Sequence, residues 1–134
     1  MRHRIFIKTA FLIAVSAAPL IAHHSVAKVY DANKATAIQG VITKVEWMNP
    51  HVWISMDVKS TNGRLTSWRV EIKPPNALFR AGITKDLFEL NKTYSMTIWP
   101  AFDGSKVASG RSLTFPDGRT IDVSDNWGQG ILFP

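Results

Sequence analysis

The sequence predicts a mainly β chain: a small OB-like barrel of five to six antiparallel strands, with a short helical segment between strands three and four. Three observations carry that expectation. Stretches of alternating apolar and polar residues recur along the chain. Three pairs, Asn62-Gly63, Asp103-Gly104 and Asp117-Gly118, fall where tight turns would join them. The run KPPNALFRAGI, 73–83, then breaks the alternation with two prolines that no sheet ladder accepts. Three strands, a helical segment and two more strands is the order of the OB-fold, and a small β-sandwich or split barrel is the alternative.

The elements follow in order. Residues 23–36 lack periodicity and read as an N-terminal arm, with a turn at DANKA, 31–35. In 37–49, Ile38, Val41, Val45 and Trp47 alternate with polar residues, so a half-buried strand is expected, with a bulge or sharp coil at Gly40. Asn49-Pro50 ends it. His51 to Lys59 is a second strand, with Val52, Ile54, Met56 and Val58 on one face and His51, Trp53, Ser55 and Asp57 on the other. Leu65 to Ile72 is a third, turning Trp68, Val70 and Ile72 to the core. Asn76 is the expected cap of a helix over Ala77 to Arg80, ended by Gly82. Thr84 to Leu90 gives another helical turn or a loop. Thr93 to Pro100 and Lys106 to Phe115 are strands four and five, and Ile121 to Val123 is a short sixth. The barrel domain thus spans 37–123, and 124–134 is a tail expected to dock loosely.

The N-terminus has a different character. MRHRIFIK carries three basic residues and no acid, and the uncharged TAFLIAVSAAPLIA follows, which describes a signal peptide over 1–22. The apolar stretch is short of the roughly 20 residues a membrane span needs, so no stable span is expected after cleavage. Cleavage after Ala22 places Ala22 at −1 but the large Leu20 at −3, and cleavage after Ala17 places Ala17 and Val15 there, a better local match; both sites stay open. Without Arg2, Arg4 and Lys8, 13 basic residues remain against 10 acids, a net charge of +3. That modest excess, on an exported chain, gives no expectation of nucleic acid as a ligand. The chain has no cysteine, which excludes disulfides, zinc–thiolate sites and iron–sulfur clusters. The compartment expected is periplasmic or secreted.

Two constellations could carry chemistry. After cleavage at Ala22, His23 would begin the protein, and its free amine and ring nitrogen could chelate one metal ion. A second imidazole, from His51 or His24, would complete a three-nitrogen set that favours copper, or another transition metal. Asp31, Glu46 and Asp57 are possible carboxylate ligands. The plainer reading makes the His-His pair a solvated arm and His51 a turn-fixing residue. The second constellation is Trp47, Trp53, Arg69 and Glu71, aromatic and charged residues of the kind that stack ligands on OB-like barrels. Its plainer reading has the tryptophans filling the barrel or its rim, with Arg69–Glu71 as a surface pair. No G-x-S-x-G, H-E-x-x-H or phosphate-binding glycine loop occurs, so no enzyme is expected. The function expected is an exported soluble binding module, with copper as its cofactor. The alternative is a structural or partner-binding envelope protein without metal, presenting Trp53, Arg69 and Pro75 to an envelope protein partner.

AHHS at 22–25, YD at 30–31, GVITKVEWMNPHVWI at 40–54, PPNAL at 74–78 and PDGRT at 116–120 resemble a family of small exported bacterial proteins of unknown function. The resemblance implies cleavage just before the two histidines, and it implies a compartment and a fold but no reaction. Asn91-Lys92 stands where a Gly-acid turn is usual in that family.

Overall fold

A computed structural model of the chain describes residues 26–125, with side chains from residue 28 onward. Among the described residues six strands form: β1 (Thr36–Glu46), β2 (Val52–Lys59), β3 (Leu65–Ile72), β4 (Thr93–Pro100), β5 (Val107–Thr114) and β6 (Thr120–Asp122). A one-turn helix, α1 (Val26–Val29), precedes them, and α2 (Pro75–Arg80) lies between β3 and β4. The sheet order is β3-β2-β1-β4-β5-β6, and a further β3–β5 pairing closes the first five strands into a barrel. The OB-like architecture is therefore present, with β6 as a hairpin appendage on β5.

One pairing departs from the antiparallel expectation. The closing β3–β5 ladder is parallel, matching Arg69 with Val107 and Glu71 with Ser109. Strand direction alternates around the ring, and a ring of five strands is odd, so one neighbouring pair must run the same way. The meander pattern describes the sequential hairpins and cannot describe the seam.

The expected irregularity in β1 also moves. Gly40 is regularly paired with both Val58 and Tyr94. The bulge lies at Thr43, between the pairs Ile42–Met56 and Lys44–Ser55. An extra residue there changes which positions face inward. Ile38 and Ile42 are core residues before it, and Val45 and Trp47 pack on the core after it. Gly40 is needed for a different reason: a Cβ there would collide with the Asp57 carbonyl of β2.

Alternation otherwise does what it implies. Val52, Ile54 and Met56 on β2 and Val70 and Ile72 on β3 are buried and meet Tyr94, Met96 and Ile98 of β4. Helix α2 plugs one end of this core with Leu78, which is fully buried. Asn76 does not cap α2. Pro74 holds the cap position, Pro75 opens the helix, and Asn76 lies within it. Proline is suited to the first turn, where its missing N–H is not needed. Gly82 ends α2 as expected, at φ +76. The Gly82 N–H donates to the Phe79 carbonyl and the Ile83 N–H to the Leu78 carbonyl, both at 2.9 Å, a left-handed helix stop. A 3-10 turn, Lys85–Leu87, follows. Asn91, where the family resemblance expected glycine, takes a positive φ of 62°, a conformation asparagine tolerates better than most residues.

The N-terminal arm is more structured than its lack of periodicity implies. Tyr30 is buried and bridges to Ala101. The Asp31 N–H donates to the Pro100 carbonyl at 2.8 Å and the Phe102 N–H to the Val29 carbonyl at 2.9 Å. The arm is thereby pinned along the end of β4. Among the described residues, no helix is long and apolar enough to cross a membrane.

Candidate histidine–carboxylate site

His51 stands one residue before β2, on the outer side shared with Trp53. Trp53 is paired with Glu71 across the β2–β3 ladder. Glu71 is therefore the diagonal neighbour of His51 on that face, within reach of a long side chain. Glu71 Oε1 lies 2.5 Å from His51 Nδ1. Its second oxygen, Oε2, accepts a 2.8 Å hydrogen bond from the Tyr30 hydroxyl. On the other side of the ring, Asp125 Oδ2 lies 2.6 Å from His51 Nε2. Four segments thus converge on one imidazole: the arm, the β1–β2 loop, β3 and the chain following β6.

Each partner is held by its own backbone. Tyr30 is fixed by the arm's bonds to the end of β4. Asp125 follows a stretch in which the Lys73 N–H donates to the Val123 carbonyl and the Val123 N–H to the Arg111 carbonyl, each at 3.0 Å. Ser124 then bonds back to Asp122 Oδ1 through its N–H at 2.7 Å and its hydroxyl at 2.6 Å. Ser124 and Asp125, the first two residues of the tail, are thus held in place; the rest of the tail expected to dock loosely, 126–134, lies outside the described residues.

The site is partly shielded, with side-chain exposures of 24% for His51, 18% for Glu71 and 10% for Asp125. A carboxylate can only accept, so the two ring contacts together need a proton on both nitrogens or one on a carboxyl. The Tyr30 phenol is pushed well above its ordinary range, first by burial and then by its bond to Glu71. It therefore stays a donor, and Glu71 stays its acceptor. The result is an oriented imidazole with a carboxylate on each nitrogen. Carboxylate support of one nitrogen is how metal-binding histidines are commonly oriented.

The aromatic constellation divides. Trp53 carries the Arg69 guanidinium 4.2 Å from its ring centre. Arg69 does not form the expected surface pair with Glu71. It reaches Glu46 at 3.4 Å, and Lys44 meets the same carboxylate at 3.2 Å. The Thr43 bulge brings Glu46 opposite Trp53, while Glu71 is occupied by His51 and Tyr30. The Lys44 hydrogen bond, then the Lys44 and Arg69 charges, hold the Glu46 carboxyl below the usual range. Trp47 lies apart, tilted against Phe88 at 5.9 Å and lining a groove with Pro75, Asn76, Phe79, Thr84 and Lys85. Pro75 therefore belongs with Trp47 in the groove, whereas Trp53 and Arg69 form their own stack.

The metal-ligand candidates are also redistributed. His23 and His24, like the proposed signal peptide, lie outside the described residues. Asp31 accepts from the Asn33 N–H and pairs with Lys34, and Asp57 accepts from the Ser67 hydroxyl. With Glu46 held by Lys44 and Arg69, none of the three meets His51. Among the described residues, no group of three or more His, Asp or Glu side chains is arranged to hold a metal ion. Tyr30 and Asp125 are the members that sequence reasoning missed. Tyr30 carried a signal in the YD motif; Asp125 carried none beyond its charge.

Fold and site together define a small closed OB-like β-barrel with a histidine clamped between two carboxylates on its outer face. The model of a family of unknown function (DUF6152) matches residues 11–110, and the chain belongs to that family. No curated protein matches the chain. No solved structure matches it either.

Proposed function

We propose that this chain is an exported binding module, periplasmic or secreted, that holds a copper ion between its N-terminal histidines and His51. The observation that carries this reading is the chain of contacts Tyr30–Glu71–His51. It moors the arm beside the one described histidine, with the ring oriented through Nδ1. Tyr30 lies seven positions after His23, a span of at most about 25 Å even fully extended. A metal would take His51 Nε2 in place of the proton shared with Asp125, whose carboxylate could remain as an oxygen ligand. The described residues supply only this imidazole and carboxylate, so the His23 amine and the rings of His23 and His24 have to complete the set. Tetragonal nitrogen ligation of that kind suits Cu(II).

The test has two parts. The mass of the exported protein should correspond to a chain beginning at His23. Copper titration should then give a tight site that His51→Ala weakens at least tenfold. A chain beginning at Ala18, or an affinity unmoved by replacing all three histidines, overturns the reading.

A second reading is favoured by the closure of the His51 cluster, since both ring nitrogens already have partners. In that reading His51 is a structural clamp on an envelope protein without metal, and the Trp53–Arg69 stack faces a protein partner. It requires that His51→Ala lower stability equally with and without copper, and that Trp53→Ala reduce capture of the partner by crosslinking in the envelope.

A further inference from the structure

The groove beside α2 is unrelated to the histidine cluster. It has a volume of about 360 Å³ and is lined by Trp47, Pro75, Asn76, Phe79, Thr84 and Lys85. Phe79, at its edge, is 69% exposed. An aromatic ring that open, beside a half-buried tryptophan and a proline, is an apolar surface that water covers poorly.

The chain itself supplies a matching segment. After β6, Val123 hydrogen-bonds Lys73, two residues before the groove residue Pro75. Asp125 then rests on His51, four residues after the groove residue Trp47. The chain therefore leaves the described fold against the two segments that lead into the groove residues Pro75 and Trp47. The nine residues that follow read NWGQGILFP, without a charge and with Ile131, Leu132 and Phe133 in succession. Extended, nine residues span up to about 30 Å.

We propose that residues 131–133 of this tail seat in the groove, covering Phe79 and Trp47 and completing the α2 end of the barrel. Tethering makes the contact intramolecular, so a small apolar segment can occupy the groove at an affinity too weak for a free peptide to do so at low concentration.

The experiment uses the full chain with a photo-crosslinking residue at position 132, alongside amide spectra of the unlabelled protein. Crosslinks are expected to Phe79, Thr84 or Trp47. The triple variant Ile131→Ser, Leu132→Ser, Phe133→Ser is expected to shift the amide signals of Asn76, Phe79 and Thr84 and the Trp47 indole signal, while β2 and β3 signals stay in place. A synthetic peptide of residues 126–134, added in excess to a chain ending at Asp125, should move the groove signals back. Three outcomes overturn the proposal. The first is groove signals identical with and without the apolar triplet. The second is crosslinks on the Trp53–Arg69 face. The third is groove signals that depend on protein concentration and not on the tail, which would assign the surface to a second copy. The two barrel strands serve as the folding control, so a collapsed variant is recognised as such.

Discussion

At the scale of single residues, Tyr30 shows how a terminal arm is tied to a site. Its hydroxyl donates to a carboxylate in a buried position, and a hydrogen bond to a charged group is worth about 2 kcal/mol. Tyr30→Phe should lower stability by about that amount in urea unfolding while leaving His51 on Glu71. The phenol also makes stability depend on alkaline pH. Burial, then the Glu71 bond, raise it above its ordinary 10.0, so the folded chain keeps a proton that the unfolded chain releases. The contribution is whole below about pH 10 and is lost as pH rises beyond it. Tyr94 is raised by burial in the same direction. Tyr30→Phe should therefore lessen the alkaline loss without abolishing it, as measured by unfolding between about pH 8 and pH 11. An alkaline profile identical to that of the unaltered chain would remove Tyr30 from the account.

Between residue and molecule, strands and helix ends set which side chains can meet. Gly40 lets β1 and β2 approach at a point where any side chain would strike the Asp57 carbonyl. Because backbone cannot swing aside as a side chain can, Gly40→Ala should cost about 3 kcal/mol, the upper end for overpacking. Gly82 has open space around its Cα but a φ of +76. Gly82→Ala should cost only the left-handed penalty, about 1 kcal/mol. Parallel urea titrations measure both, and the order Gly40 above Gly82 is the expected result. The Thr43 bulge acts at the same level. It carries Val45 and Trp47 onto the core side and puts Glu46 opposite Trp53, so one unpaired residue decides where Arg69 finds its partner.

For the whole molecule, stability rests on closure and on the plug. Strands from both halves of the chain supply the core, and α2 seals it through Leu78, which is 0% exposed. Leu78→Ala should cost about 2 to 5 kcal/mol, the range for deleting a fully buried leucine. Leu65, 63% exposed at the start of β3, offers the contrast: Leu65→Ser should change stability by less than about 0.5 kcal/mol. Equal costs in thermal unfolding would mean that α2 is not a seal. Closure also gathers the candidate site, since Tyr30 and Glu71 are 41 positions apart and His51 and Asp125 are 74 apart.

Much of this was legible in the residues. Alternation identified β2 and β3 and assigned their faces, because a strand's side chains alternate with period two whatever surrounds them. Paired turn residues located the hairpins, and the prolines with Gly82 bounded α2, because backbone dihedrals are local properties. The same alternation put His51, Trp53, Arg69 and Glu71 on outward positions. Which of these would touch was beyond it. Glu71 joins His51 and Tyr30, and Arg69 joins Glu46, because of the β2–β3 register and a bulge with no local signature. Asp125 reaches His51, and Tyr30 reaches Glu71, only after the barrel has closed. The sequence by itself determined the strands, their faces and the order that makes a barrel, all of which follow from neighbours in the chain. The tertiary structure alone decided the parallel seam and the partners of His51, because these depend on contacts between segments that carry no record of one another in their own residues.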